Sequence, residues 1–194
     1  MNEFTFYIKQ GFYHVLDVAA LDHVLFFIAL TVVYRIRDWK KALWLISSFT
    51  IAHTLTFALS SYDFIHVNTK LVEFLIPITI LIPILINIYR EFVAFAYKVD
   101  NTNIYFAFFF GLIHGLGFSN YFRILLDEAE DKLIPLLKFA LGIELAQVII
   151  VGLILFLGHL AQYTFQIKKK IWVIGISVLV LVRIFPMLID RFPF

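Results

Sequence analysis

Ionisable side chains inside otherwise apolar stretches of this sequence are the first candidates for chemistry. Three such histidines are His23, His53 and His114, each in a different stretch, whereas His159 stands near the inner end of another. Ionisable groups are expensive inside a membrane, and where they occur they usually serve a function. Neutral imidazole is the commonest metal-binding side chain, and carboxylates often complete such sites. Three histidines with a carboxylate suit zinc, nickel or a similar divalent transition metal ion.

The positions of these histidines within their stretches indicate a shared site. If each stretch is a helix that rises about 1.5 Å per residue, each histidine lies roughly 18–20 Å from the membrane edge at the basic loops. The sequence therefore predicts that His23, His53 and His114 bind one metal ion. The alternative is three unrelated histidines, each hydrogen-bonded to a neighbouring helix. Candidates for a fourth ligand are Asp22, His14, a more distant carboxylate or water.

Further polar residues stand near the predicted site. Glu73 lies in a fourth apolar stretch, and Glu144 lies near the middle of the longest one. Because an unpaired charge near the midplane is costly, we expect Glu144 to face the bundle and contact the histidines or Arg183. Hydroxyl groups around Thr50 could orient a ligand, although such groups more commonly join membrane helices. The residues expected to support the ligands are Thr50, Asp17 and Gln147.

The composition of the chain indicates a membrane environment. Of the 194 residues, 62% are hydrophobic and 15% are charged, whereas soluble domains have about 45–50% apolar and about 25% charged residues. A soluble core of this size could not bury so much apolar surface. This composition excludes a disordered chain and a nucleic-acid-binding domain. The absence of cysteine excludes disulfides, thiolate metal ligands and a cysteine nucleophile.

Six apolar stretches approach the length of about 20 residues that a transmembrane helix needs. Ahead of them, Ile8, Phe12 and Val15 recur at helical spacing, which predicts an amphipathic helix at the interface or dipping into the bundle. The expected fold is all-α, a polytopic membrane helix bundle of about six transmembrane helices plus an N-terminal amphipathic or re-entrant helix. Residues 1–194 are expected to form a single integral membrane domain. The stretches are residues 21–36, 42–60, 71–89, 102–118, 134–163 and 171–188.

The distribution of lysine and arginine predicts the orientation. The first, third and fifth loops between the stretches carry more basic residues than the second and fourth. Since cytoplasmic loops are enriched in these residues, the odd loops are expected in the cytoplasm and both termini outside. We therefore expect a multi-pass protein of the cell inner (plasma) membrane with its histidines in the outer half. The basic residues of the odd loops are Arg35, Arg37, Lys40, Lys41, Arg90, Lys98, Lys168, Lys169 and Lys170.

Four sequence motifs together resemble a known family. They are GFYHVLD at 11–17 with DHVLFF at 22–27, FTIAHTLT at 49–56, FGLIHGLGF at 110–118 and GIELAQ at 142–147. Their order and spacing are similar to those of the hydrogenase/urease accessory membrane protein family, HupE/UreJ. The resemblance implies nickel handling, as a permease or as an accessory protein for a metalloenzyme. Residues that match the family pattern are His14, Asp17, Asp22, His23, His53, Glu73, His114, Glu144 and Gln147.

Three functions remain open from the sequence, of which a metal-stabilised scaffold for a partner protein has the least support. The first is a permease or metallocentre accessory protein for a divalent transition metal ion, nickel or zinc. The second is an intramembrane zinc-dependent hydrolase, in which metal-bound water attacks a lipid or membrane-anchored substrate from the extracytoplasmic side. In that case Glu73, Glu144 or Asp22 would be the catalytic base. A polar path to both faces favours transport, whereas a closed floor with a lateral opening favours hydrolysis.

The partners expected for the first two functions overlap. Both require the lipid bilayer and a metal ion. The accessory function adds a metalloenzyme maturation partner, and the hydrolase adds its membrane-anchored substrate. A net charge of +2 is too small to indicate a polyanionic partner, and no nucleic acid is expected.

Overall fold

The computed structural model describes residues 3–17, 21–93, 101–117 and 132–193, and it confirms the all-α fold in these ranges. Lys98 and residues 118–131 of the fourth loop lie outside them. A 3₁₀ turn, Ile36–Asp38, precedes α3, and a π-helical turn, Leu160–Thr164, continues α6. The helices are α1 (Glu3–Val15), α2 (Asp22–Thr31), α3 (Trp39–Ser61), α4 (Thr69–Val93), α5 (Thr102–Gly117), α6 (Leu133–His159) and α7 (Lys169–Asp190).

Four helices are long and apolar enough to cross a membrane, namely α3, α4, α6 and α7. Helices α2 and α5 are also apolar but have only 10 and 16 residues. These six helices coincide with the six stretches expected from hydropathy. The chain is an integral membrane protein built as a helix bundle.

Helices α2 to α7 alternate in direction, so the bundle has two distinct ends. We call the end at which α2, α4 and α6 begin the histidine end. Contacts such as that of Lys132 Nζ with the Ser61 carbonyl, at 3.3 Å, join helix termini there. The opposite end, which carries residues 35–41 and 168–170, is called the basic end.

Close contacts between helices depend on glycine. A Cβ atom at Gly115 of α5 would overlap the carbonyl oxygen of His53 and the hydroxyl of Thr56 on α3. Helix α1 crosses α6 in the same way, because Gly11 and Gly142 each lie against the backbone of the other helix. Since α1 packs against α6 and its Tyr7 and Val15 are buried, α1 is part of the bundle.

The short helix α2 ends inside the bundle, and two asparagines complete its open end. The last carbonyl groups of a helix have no partner within the helix. Asn87 Nδ2 donates to the Ala29 carbonyl at 2.7 Å, and Asn103 Nδ2 donates to the Leu30 carbonyl at 3.0 Å. Both asparagine side chains are buried. Because the neighbouring helices satisfy these groups, a broken helix is tolerated at membrane depth.

Candidate metal centre

Three histidines from three helices converge near the histidine end. His14 lies in the last turn of α1, His23 in the first turn of α2, and His53 in the second half of α3. One ring nitrogen of each lies within 4.8 Å of the others. The ring centroids of His14 and His23 are 4.7 Å apart, and that of His53 is 6.0 Å from His14 and 5.9 Å from His23. A small contraction would bring three nitrogens to about 2.0–2.1 Å from one ion.

His114 lies next to His23 and lines the same cavity. Its ring centroid is 5.3 Å from that of His23, and its Nε2 shares a hydrogen bond with Thr79 Oγ1 at 2.9 Å. The sequence predicted His23, His53 and His114 as ligands, with His14 as a candidate for the fourth; the three ring nitrogens that lie within 4.8 Å of one another belong to His14, His23 and His53. Depth along a helix can be read from the sequence, but the direction in which each side chain points cannot.

Buried imidazole nitrogens lack hydrogen-bond partners at this site. His53 is fully buried, and neither of its ring nitrogens has a partner in the described ranges. The same holds there for Nε2 of His23 and Nδ1 of His114. Buried polar atoms are nearly always paired, and leaving one unpaired costs about 1–3 kcal/mol. A metal ion held by nitrogen ligands would remove this cost, so the donor set fits a divalent transition metal.

Aromatic side chains close the site toward the basic end. Phe26, Phe49 and Phe110 each stand one helical turn from a histidine of their own helix, on that side. All three are buried, and the ring centroid of Phe26 lies 5.1 Å from that of Phe49 and 6.0 Å from that of Phe110. We call them the phenylalanine layer. Directly below the histidines, the described part of the bundle is therefore apolar.

A cavity leads to the histidines from the surface of the histidine end. Its volume is about 330 Å³, and its lining includes His14, His23 and His114. Two further lining residues, Asp17 and Glu73, are exposed. Carboxylates at an entrance raise the local concentration of cations. The cavity thus offers a metal ion an acidic entrance and imidazole ligands at its inner end.

An ion pair between Asp22 and Arg191 crosses this cavity. Arg191 Nη1 donates to Asp22 Oδ2 at 3.0 Å, which ties the end of α7 to the start of α2. The other oxygen, Asp22 Oδ1, is buried and has no hydrogen-bond partner among the described residues. Sequence analysis did not identify Arg191, because no motif signals a contact between residues 169 positions apart.

Glu144 points to α3 rather than to the histidines. Ser47 Oγ donates to Glu144 Oε1 at 2.6 Å, and Thr50 Oγ1 donates to Glu144 Oε2. Thr50 Oγ1 also lies 3.1 Å from Gln147 Oε1. The expected contact with the histidines or Arg183 is not seen, and Arg183 is exposed. Thr50 therefore contacts both Glu144 and Gln147.

The comparison with known families agrees with the sequence motifs. The family model described as HupE / UreJ protein matches residues 1–190, which include all four motifs. No curated protein and no solved structure matches the chain significantly. Since the match covers nearly the whole chain, the protein belongs to the HupE/UreJ family.

Proposed function

We propose that this protein binds a divalent transition metal ion, with nickel as its main substrate, and carries it into or across the membrane as a permease or metallocentre accessory protein. Membership of the HupE/UreJ family indicates a metal-related accessory or transport role in the membrane. The observation that carries the proposal is the convergence of His14, His23 and His53 beside a cavity that opens at one end of the bundle.

The arrangement suits capture of an ion from one side. Asp17 and Glu73 attract the cation at the entrance, and the imidazoles replace part of its water shell. The phenylalanine layer blocks the direct route to the basic end. A transporter needs such a one-sided state, because its site must open to one face at a time. With the orientation expected from the basic loops, the entrance faces the extracytoplasmic side.

A second cavity favours the hydrolase as the alternative function. It has a volume of about 480 Å³ and lies on α4 and α7. Its residues Phe74 and Phe192 directly follow Glu73 and Arg191 of the metal cavity in sequence. If an acyl chain occupied this apolar cavity with its polar end on the side of Glu73 and Arg191, Asp22 Oδ1 would be the base for metal-bound water. Its lining residues are Phe74, Leu188, Ile189 and Phe192.

Uptake into proteoliposomes separates the two functions. Vesicles containing the purified full chain are loaded with a nickel-sensitive dye, and hydrolysis products of the vesicle lipids are measured in the same samples. We expect the wild type and His66→Ala to take up nickel, since His66 is an exposed histidine in the loop between α3 and α4, at the same end. His53→Ala should take up none. Lipid hydrolysis that depends on His53, without nickel uptake, would replace the permease with the hydrolase.

A further inference from the structure

We propose that Ser47, Thr50, Glu144 and Gln147 form a second cation site, which receives the metal ion from the histidines. We call it the Glu144 site. The inference rests on the proposed function, since it takes the same divalent ion as the ligand. The Glu144 site would be a second binding site, closer to the basic end than the histidines are. The phenylalanine layer blocks the direct route from the histidines to that end.

The charge of Glu144 is the first reason. Glu144 lies eleven residues from the start of α6, about 16 Å along the helix, and is only partly exposed. Its hydrogen-bond partners in the described ranges are the hydroxyls of Ser47 and Thr50, and no cationic side chain pairs with it there. A carboxylate at this depth without a counter-ion is costly, and a bound cation would compensate it.

The oxygen atoms of the cluster form a suitable donor set. Both carboxylate oxygens of Glu144, the hydroxyls of Ser47 and Thr50, and the amide oxygen of Gln147 lie within one hydrogen-bonded group. Rotation of the two hydroxyl groups would turn their lone pairs toward a cation. Oxygen ligands hold nickel or zinc less tightly than imidazole does. A weaker second site suits passage, because an ion must leave each site that it enters.

Gln147 provides an independent sign of a ligand. Its side chain is fully buried, yet its Nε2 has no hydrogen-bond partner among the residues that the structure describes. An unpaired buried amide donor costs about 1–3 kcal/mol. A water molecule bound to a cation at the Glu144 site could accept this hydrogen bond. The unpaired donor is therefore available to the water shell of a bound ion.

The two sites are consecutive along α3. Thr50 and His53 are three residues apart, so their side chains lie on the same face of the helix and about 4.5 Å apart along its axis. Ser47 continues this face by another turn toward the basic end. An ion could thus move along the interface between α3 and α6, beside the phenylalanine layer.

Nickel binding to the purified full chain tests the second site. Titration with nickel alone should show two bound ions in the wild type, the second at least about tenfold weaker than the first. Glu144→Gln preserves shape and should lose the weak site, keep the tight site and slow nickel uptake into proteoliposomes at least about tenfold. Glu91→Gln, which removes a carboxylate near the basic end, is the matched control and should behave as the wild type.

The other outcomes of the titration distinguish failure of the Glu144 site from failure of the proposed function. The Glu144 site is overturned if Glu144→Gln binds two ions with unchanged affinities. It is also overturned if the wild type and Glu144→Gln each bind a single ion and take up nickel equally fast. Absence of a tight, His53-dependent ion in the wild type would instead refute the proposed function. Thr50→Val, which removes one oxygen ligand without changing charge, should weaken the second ion in the same direction. Thermal unfolding of each variant is the control measurement for retention of the fold.

Discussion

The two halves of the bundle use their buried polar side chains in opposite ways. Near the basic end, Asn87 and Asn103 donate to the last carbonyls of α2, so the fold itself occupies them. Near the histidine end, His23 and His53 retain ring nitrogens that no described residue pairs. In this bundle, the asparagines are hydrogen-bonded by the fold itself, whereas the unpaired imidazole nitrogens are available to a ligand.

The largest expected effect is the difference in thiol labelling between the two ends of the bundle, which shows which end faces outward. The sequence has no cysteine, so single cysteines can be introduced at His66, near the histidine end, and at Lys40 and Lys169, near the basic end. An impermeant thiol reagent should label His66→Cys in intact cells and the other two only after permeabilisation. Labelling in the reverse pattern would place the cavity entrance on the cytoplasmic side.

Tight packing beside His53 gives the next largest effect. Gly115→Leu should destabilise the protein by about 3 kcal/mol or more, because even a Cβ atom there overlaps the backbone of α3. Gly175→Leu is the matched control, since nothing lies within 4 Å of a Cβ at that position. Thermal unfolding in one detergent compares them. Equal melting temperatures would mean that α3 and α5 are not in close contact.

Substitutions in the two halves should separate stability from metal binding. Asn87→Leu leaves the Ala29 carbonyl without its donor and should cost about 1–3 kcal/mol, while nickel binding is retained. His53→Leu removes two unpaired buried nitrogens and should lose nickel without loss of stability in the metal-free protein. Unfolding and nickel titration on both variants test this. Similar destabilisation by both would remove the distinction between the halves.

The Asp22–Arg191 ion pair should have the smallest effect. Arg191→Gln removes a partly exposed ion pair and should change stability by about 1 kcal/mol or less. It also removes a positive charge from the metal cavity and frees the Asp22 carboxylate, so nickel should bind several-fold more tightly. Nickel titration at fixed ionic strength measures this change. Weaker binding would show that Arg191 supports the site instead of competing with the ion.

The sequence predicted the positions of helices well because hydropathy records membrane depth directly. It also placed His23, His53 and His114 at one level, and the structure brings all three near each other. The break of α2 after Thr31 was not predicted, since residues 32–34 are as apolar as the helix before them. The asparagines that make this break possible stand on other helices.

Contacts between distant helices account for the other differences. Depth does not determine how helices are arranged around the bundle, so the sequence predicted His14 as one of several candidates for a fourth ligand and could not show that its ring lies against those of His23 and His53. The sequence favoured hydroxyl groups near Thr50 as links between helices, and Thr50 does link α3 to α6, but the sequence could not identify Glu144 as its partner. The spacing of residues in the sequence shows which side chains share a face of one helix, whereas a binding site is formed by faces of several helices.

The central claim is that His14, His23 and His53 hold one metal ion, and X-ray absorption spectroscopy of the nickel-loaded protein tests it most directly. The number of imidazole ligands is measured in the wild type, His14→Ala and His114→Ala. We expect about three imidazoles in the wild type and in His114→Ala, and one fewer in His14→Ala. No imidazole scattering in the wild type, or loss of an imidazole in His114→Ala but not in His14→Ala, would contradict the account.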